Sequence, residues 1–337
     1  MALSVLNKKH LVLGVSGGIA AYKACELLRL LQKQGAQVQV MMTRNAERFV
    51  GPTTFEALSG QPVCTNLFDG SAGSAIGHID WAEKADAVVI APATANIIGK
   101  LANGIADDAL STFLVAVRAP LILCPAMNPH MFESPAVQRN LESLRSDGRF
   151  VIDPVTGEMA CGTTGAGRLP EPGDILDRIC ACLSPKDLRG KRVLISAGPT
   201  REAIDPVRFI SNPSTGKMGY AIARAAEHRG AQVILVAGPT DLPDPQQVCT
   251  VHVTTAREMA EAVFSHMQDC DIIIKSAAVS DYRPLAPESH KIKKQEAKVT
   301  LALERTEDIL LTLGGRKGCR MLVGFAAETR DLEIHAR

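Results

Sequence analysis

The chain has 337 residues, 46% of them hydrophobic but only 4% aromatic, a formal net charge of +1 and nine scattered cysteines. This length suits two α/β domains whose cores rest on Val, Ile, Leu and Ala in buried parallel strands. The near-zero charge excludes a global field for nucleic acid or an anionic membrane, the cysteines lack a disulfide framework, and the N-terminus has neither a signal-peptide core nor a membrane-length apolar run, so a cytoplasmic protein is expected.

In chain order, residues 9–15 predict a strand that runs into the turn Ser16-Gly17-Gly18. A helix with Leu27, Leu28, Leu30 and Leu31 follows, ends at Gly35, and gives way to a strand over 36–40. Further strands are predicted at 87–90 and 121–124, each followed by small or turn residues. Near the middle the opening pattern returns: a strand at 191–196, the turn Ala197-Gly198-Pro199-Thr200, an insertion, a helix over 220–229, then Gly230-Ala231-Gln232-Val233. Strand, glycine turn, helix and a second Gly-Ala-Gln-Val strand open a βαβ unit, and two openings predict two parallel sheets. The remaining strands of the second half are predicted at 233–237, 272–274 and 321–323.

These elements predict an α/β fold of two Rossmann-like, doubly wound, mainly parallel domains, 1–183 and 191–337, joined by a polar linker at 184–190. The second domain reads as incomplete, because its last strand leads only into a helix start at Arg337, and a truncated chain is expected.

Ser16, Gly17 and Gly18 at a helix start suit a phosphate, although a tight βα turn alone explains them equally. The spacing is not GxGxxG, and Met41-Met42-Thr43-Arg44 stands where a dinucleotide fold keeps an acidic ribose partner, so a flavin monophosphate fits better. Gly77-His78-Ile79-Asp80, Ala91-Pro92-Ala93-Thr94-Ala95-Asn96 and Pro125-Ala126-Met127-Asn128 add a histidine and asparagines in or near strand-end loops. Such groups hold a carboxylate or move a proton, though either is commonly structural when alone.

In this order these segments resemble the homo-oligomeric flavin-containing cysteine decarboxylases, and among them the phosphopantothenoylcysteine decarboxylases, from Lys9 to about Leu183. The resemblance implies that Ser16, Gly17, Gly18, Thr43, Ala93 and Thr94 hold FMN. It further implies that His78 is catalytic, that Asn128 binds the substrate carboxylate, and that Cys161 donates a proton from a mobile glycine-rich flap. The chemistry implied is oxidative decarboxylation of phosphopantothenoylcysteine, then reduction of the enethiol to 4′-phosphopantetheine. Met131-Phe132 departs from the Met-Trp or Met-Tyr usual there.

In the second half, residues 208–219, Ala277-Ala278-Val279-Ser280-Asp281-Tyr282-Arg283 and Lys291-Ile292-Lys293-Lys294 resemble the phosphopantothenate–cysteine ligases, which many bacteria fuse behind the decarboxylase. Read alone, the lysine run is a solvated surface or a counter-charge for a triphosphate. The resemblance implies that Arg208 and Asn212 lie at the acyl intermediate, and that Ala277, Asp281, Lys291 and Phe325 line a site for CTP with Mg²⁺. Phosphopantothenate is then activated as an acyl-cytidylate and captured by cysteine, in coenzyme A biosynthesis. Metal ligands are not indicated. Trimers of the decarboxylase domain, joined into a dodecamer by ligase dimers, are the implied assembly. Rival readings are a flavin-binding regulatory subunit without catalysis, a chain with decarboxylase activity only, and a dehydrogenase with duplicated dinucleotide domains.

Overall fold

Short apolar runs form two parallel sheets, one in each of the units Met1–Ser184 and Pro185–Arg337 into which the chain divides. The computed structural model describes residues 4–67, 77–158, 162, 164–293 and 300–326.

In the first unit the chain runs β1 (His10–Val15), α1 (Ala21–Lys33), β2 (Gln37–Met42), α2 (Pro52–Ser59), β3 (Val63–Cys64), α3 (Gly77–Lys84), β4 (Ala87–Ala93), α4 (Ala95–Ala102), α5 (Ala109–Ala116), β5 (Leu121–Pro125), α6 (Pro129–Phe132), α7 (Pro135–Ser146) and β6 (Phe150–Val151). An antiparallel hairpin, β7 (Val155–Glu158) with β8 (Thr164–Arg168), and the helix α8 (Pro172–Leu183) complete it. The six sheet strands lie in the order β3-β2-β1-β4-β5-β6, all parallel. The order reverses direction between β1 and β4, and the crevice at the carboxyl ends of such a pair is where open α/β sheets bind ligands.

Both faces of this sheet are covered, so its strands are apolar on both sides. Leu11, Leu13, Val40 and Val89 pack with Leu27, Leu28 and Leu31 of α1 and Ile175 and Ile179 of α8. The alternate residues Val12, Met41, Val88 and Ile90 pack with Ile97 of α4, Phe113 of α5 and Leu141 of α7. The period of two places successive residues on opposite faces.

The second unit comprises β9 (Arg192–Ala197), the antiparallel pair β10 (Arg201–Ala203) and β11 (Phe209–Ser211), α9 (Lys217–His228), β12 (Gln232–Ala237), β13 (Cys249–His252), α10 (Ala256–His266), β14 (Ile272–Lys275), the antiparallel pair β15 (Tyr282–Pro284) and β16 (Leu303–Arg305), α11 (Ile309–Arg316) and β17 (Met321–Gly324). Its parallel sheet has the order β13-β12-β9-β14-β17, with the reversal between β9 and β14. One face packs on α9 through Tyr220, Ala223 and Ala226, and the other on α10 and α11 through Met259, Val263, Ile309 and Leu313.

The sequence echo is an echo of register. His10 pairs with Gln37 in the first sheet and Arg192 with Gln232 in the second. Gly35 and Gly230, which reverse the chain before these second strands, have φ of 88° and 89°, a region open to glycine at little cost. An aspartate locks the amino end of each central strand pair. Asp86 accepts from the His10 N–H at 2.8 Å and Lys9 Nζ at 2.7 Å, while its own N–H donates to His10 O at 2.8 Å. Asp271 accepts from the Arg192 N–H at 2.8 Å and Lys191 Nζ at 3.3 Å, and its N–H donates to Arg192 O at 2.9 Å.

Candidate functional site

At the reversal of the first sheet lies a cavity of about 910 Å³, at the upper end of the range for small-ligand sites, roughly 300–1,000 Å³. Ser16, Gly17 and Gly18 line it after β1, Thr43, Arg44 and Asn45 after β2, Thr94 and Asn96 after β4, and Met127, Asn128 and Met131 after β5. Among the described residues the N–H groups of Gly17, Gly18, Ile19 and Ala20 have no protein acceptor. They precede α1, whose first turn holds no acidic residue, so donors and helix dipole together favour an anion there. Gly17 admits the second loop: a Cβ on it would lie 2.4 Å from Asn45 Cβ and 2.7 Å from the Asn45 carbonyl carbon.

The predicted flavin contacts divide by role. The Ser16 hydroxyl is buried and donates to Pro92 O at 2.7 Å, accepts from the Thr94 N–H at 2.9 Å and lies 3.0 Å from Thr94 Oγ1. It holds the β1 and β4 loops together beneath the cavity. Thr43 Oγ1 accepts from the Ala46 N–H at 3.3 Å. Ala93 does not line the cavity; it is buried in β4, pairs with Pro125 and accepts from the Ala126 N–H at 3.0 Å.

Asn128 lines the cavity as the N-cap of α6, its Oδ1 accepting from the His130 N–H at 2.9 Å. The β7–β8 hairpin brings Glu158, Gly167 and Arg168 to the wall. Cys161, in the connection of that hairpin, lies outside the described residues, and so does the side chain of His78 in the first turn of α3.

Other charged groups on the wall had only a weak sequence signal. Lys23, a buried lysine at the start of α1, donates to Glu171 at 2.9 Å, and this bond foremost, with Arg168 adding to it, holds the Glu171 carboxyl below its usual range. Lys100 pairs with Asp107 and with Asp108, the N-cap of α5, each at 2.6 Å. Burial pushes Asp108 up, but Lys100 and Ser111 outweigh it and hold its carboxyl below the usual range. A lysine at helical spacing from small residues reads as a surface residue, and only the fold turns Lys23 inward.

In the second unit the loops beyond β9 and β14 continue to pair, with the Ala278 N–H donating to Gly198 O at 2.9 Å and the Ser280 N–H to Thr200 Oγ1 at 3.0 Å. Asn212 Nδ2 donates to Val279 O at 3.0 Å and Ala278 O at 3.3 Å, and so joins β11 to the segment that carries Ala277 and Asp281. Thr306 closes the segment from the other side, its hydroxyl donating to Ser280 O at 2.6 Å and its N–H to Asp281 O at 2.9 Å. Arg208 is engaged by Asp205 and the Ile292 carbonyl. Asp281, Lys291 and Phe325 are exposed. Lys275, at the carboxyl end of β14, was not singled out by sequence; burial pushes its ammonium down, with Asp308 and Asp281 opposing. Among the described residues no cluster of three or more His, Cys, Asp or Glu side chains is placed to hold a metal, and no helix is long and apolar enough to cross a membrane.

A parallel sheet with a glycine-rich helix start at its reversal point is the frame of the first unit: residues 2–184 match the Flavoprotein family, and residues 188–337 match the DNA/pantothenate metabolism flavoprotein C-terminal domain. The chain is 52% identical to the coenzyme A biosynthesis bifunctional protein CoaBC of Bacillus subtilis, over 99% of this chain and 83% of that protein. It is 47% identical to the CoaBC of Escherichia coli, over 98% of this chain and 83% of that protein. A crystal structure of the C-terminal domain of a CoaBC is 54% identical, covering 45% of this chain and 71% of that one, with a TM-score of 0.40. The chain therefore belongs to the family of bifunctional CoaBC proteins, enzymes of coenzyme A biosynthesis with a decarboxylase half and a ligase half.

Proposed function

We propose that the second unit joins cysteine to 4′-phosphopantothenate at the expense of CTP, through an acyl-cytidylate, and that the first decarboxylates the resulting phosphopantothenoylcysteine with FMN. The observation that carries the flavin reading is the cavity at the β1–β4 reversal with four unaccepted N–H groups at its helix start. Gly17, Gly18 and the residues before α1 would hold the phosphate, and Thr43, Thr94 and the β4 loop would flank the rest of the cofactor. Bound there, FMN supplies a two-electron acceptor that returns its electrons at the end of the cycle. Asn128 holds the substrate carboxylate, His78 acts on the substrate, and Cys161 delivers a proton to the reduced product.

In the second unit, Arg208 and Asn212 serve the acyl end, and Ala277, Asp281, Lys291 and Phe325 the nucleotide. Mg²⁺ arrives with the triphosphate, which usually supplies most of its non-water ligands. The enzyme works in the cytoplasm as a homo-oligomer built on decarboxylase trimers. Ile19 and Tyr22, which are 64% and 60% exposed at the cavity rim, support an assembly that covers them.

The test is an assay of the purified protein with phosphopantothenate, cysteine and CTP, following CMP and CO₂ separately. Release of both from a yellow protein is expected, and a yellow protein that releases neither sinks the reading in favour of a regulatory flavoprotein. His78→Asn should keep its flavin and lose CO₂ release.

A further inference from the structure

Asp205 stands between the two parts of the ligase unit that carry its predicted ligand groups. Its side chain is fully buried, yet it collects five donors. Oδ1 accepts from the N–H groups of Val207 and Arg208, both at 2.8 Å. Oδ2 accepts from Arg208 Nε at 2.9 Å, from Arg208 Nη2 at 2.5 Å and from the Ile292 N–H at 3.2 Å. Arg208 Nη2 also donates to Ile292 O at 2.8 Å, so both backbone groups of Ile292 are bound by one ion pair. The Glu288 N–H donates to Ile204 O at 2.9 Å, and the Ile204 N–H to Arg208 O at 2.8 Å. Burial pushes the Asp205 carboxyl up, but Arg208 and the backbone donors outweigh it and hold it far below the usual carboxylate range.

These bonds join two stretches 80 residues apart in sequence, the turn at 204–208 and the segment at 288–293. The segment has no regular secondary structure of its own. It carries Lys291 and Lys293, two flexible ammonium groups whose value to a phosphate depends on where their backbone is held. We propose that Asp205 is a positioning residue for the nucleotide: by binding Arg208 and Ile292 through one carboxylate it fixes the lysine-bearing segment against the acyl-site turn. A carboxylate is needed because only an ionised acid accepts through both oxygens; an amide would turn an NH₂ toward donors. The proposal rests on the ligase reading of this unit.

The test uses the protein with both of its units and the variant Asp205→Asn. In hydrogen exchange, peptides covering 204–208 and 288–293 should lose protection by about tenfold or more, while peptides of β9 and β12 keep theirs. In the CMP-release assay the KM for CTP should rise by about tenfold with a much smaller change in kcat. The decisive readout is a double-mutant cycle: in a Lys291→Ala, Lys293→Ala background, Asp205→Asn should change the KM for CTP little further. Fully additive effects, or unchanged exchange at 288–293, overturn the proposal. Should Asp205→Asn fail to fold, hydrogen exchange is read on Arg208→Lys, which keeps the ion pair but lacks the fork that also reaches Ile292 O, and protection at 288–293 should fall in the same way but less. A wild-type protein that releases no CMP removes the ligase reading and the nucleotide role with it. The exchange data then decide separately whether the Asp205 contacts hold.

Discussion

Replacing Ser16 by alanine separates a residue that touches flavin from one that builds the cavity proposed for it. Ser16 is 1% exposed, and its hydroxyl bonds to Pro92 and Thr94. Its removal leaves the Thr94 N–H without its acceptor at 2.9 Å, while Pro92 O retains only the longer bond from the Ser16 N–H, at 3.3 Å. Two hydrogen bonds worth about 0.5–1.5 kcal/mol each are lost, one of them buried and one part-buried. With a urea dependence of roughly 1–3 kcal/mol per molar, the unfolding midpoint of the first unit should fall by about 1 M. The chain holds a single tryptophan, Trp81, buried in that unit, so its fluorescence follows the unit without interference from the second. The measurement is made on flavin-free protein, with flavin affinity titrated in parallel. An unchanged Trp81 midpoint together with weakened flavin binding would refute the reasoning and make Ser16 a ligand contact.

Gly17→Ala places a methyl 2.4 Å from Asn45 Cβ and against the Asn45 backbone. Overpacking of this kind costs about 1–3 kcal/mol, and flavin absorbance of the purified protein should fall as the Thr43–Asn45 loop is displaced. Asp86→Asn should flatten the acid limb of stability. Burial pushes the Asp86 carboxyl up, but Lys9 and the His10 N–H outweigh it and set the folded value below the ordinary one. The wild-type group therefore adds stability above the ordinary carboxylate pKa, about 3.9, and loses it as pH falls through the folded value. Trp81 emission against pH should show wild type and variant converging in acid, and parallel curves would count against the account.

The central parallel strands were legible because each is a short apolar run ended by small residues, and the repeated Gly-Ala-Gln-Val marked both openings; the short edge strands β3, β6 and β13 were not. The three antiparallel pairs were not. Tyr282–Pro284 pairs with Leu303–Arg305 across nearly twenty intervening residues, and neither triplet has a pattern that announces a partner. At the first site the sequence named loops that the structure brings together around the cavity, but not which way their side chains face. Ser16 and Ala93 flank the same turn motifs as Thr94, yet one hydroxyl faces inward to Pro92 and one methyl sits in a strand core. The direction in which a side chain faces at a strand end depends on register, which a single sequence does not display. The inward Lys23 and the Asp205–Ile292 contact escaped for a related reason, since both join residues far apart in the chain.

The aspartate locks at the amino ends of the two sheets bear on how the loops at the other end vary. Each lock fixes the first and central strands against slipping, and a slip of one residue would invert every side chain along them. Alignment is thereby set at the edge remote from the candidate sites. The carboxyl-end bonds of Ser16 with Pro92 and Thr94, and of Ala278 with Gly198, add to a register already fixed at the other end. One sheet runs from its first strand into a bare glycine turn, while the other inserts the β10–β11 pair before its helix begins. A designer grafting new chemistry onto either half has the same latitude, provided Asp86 and Asp271 are left in place.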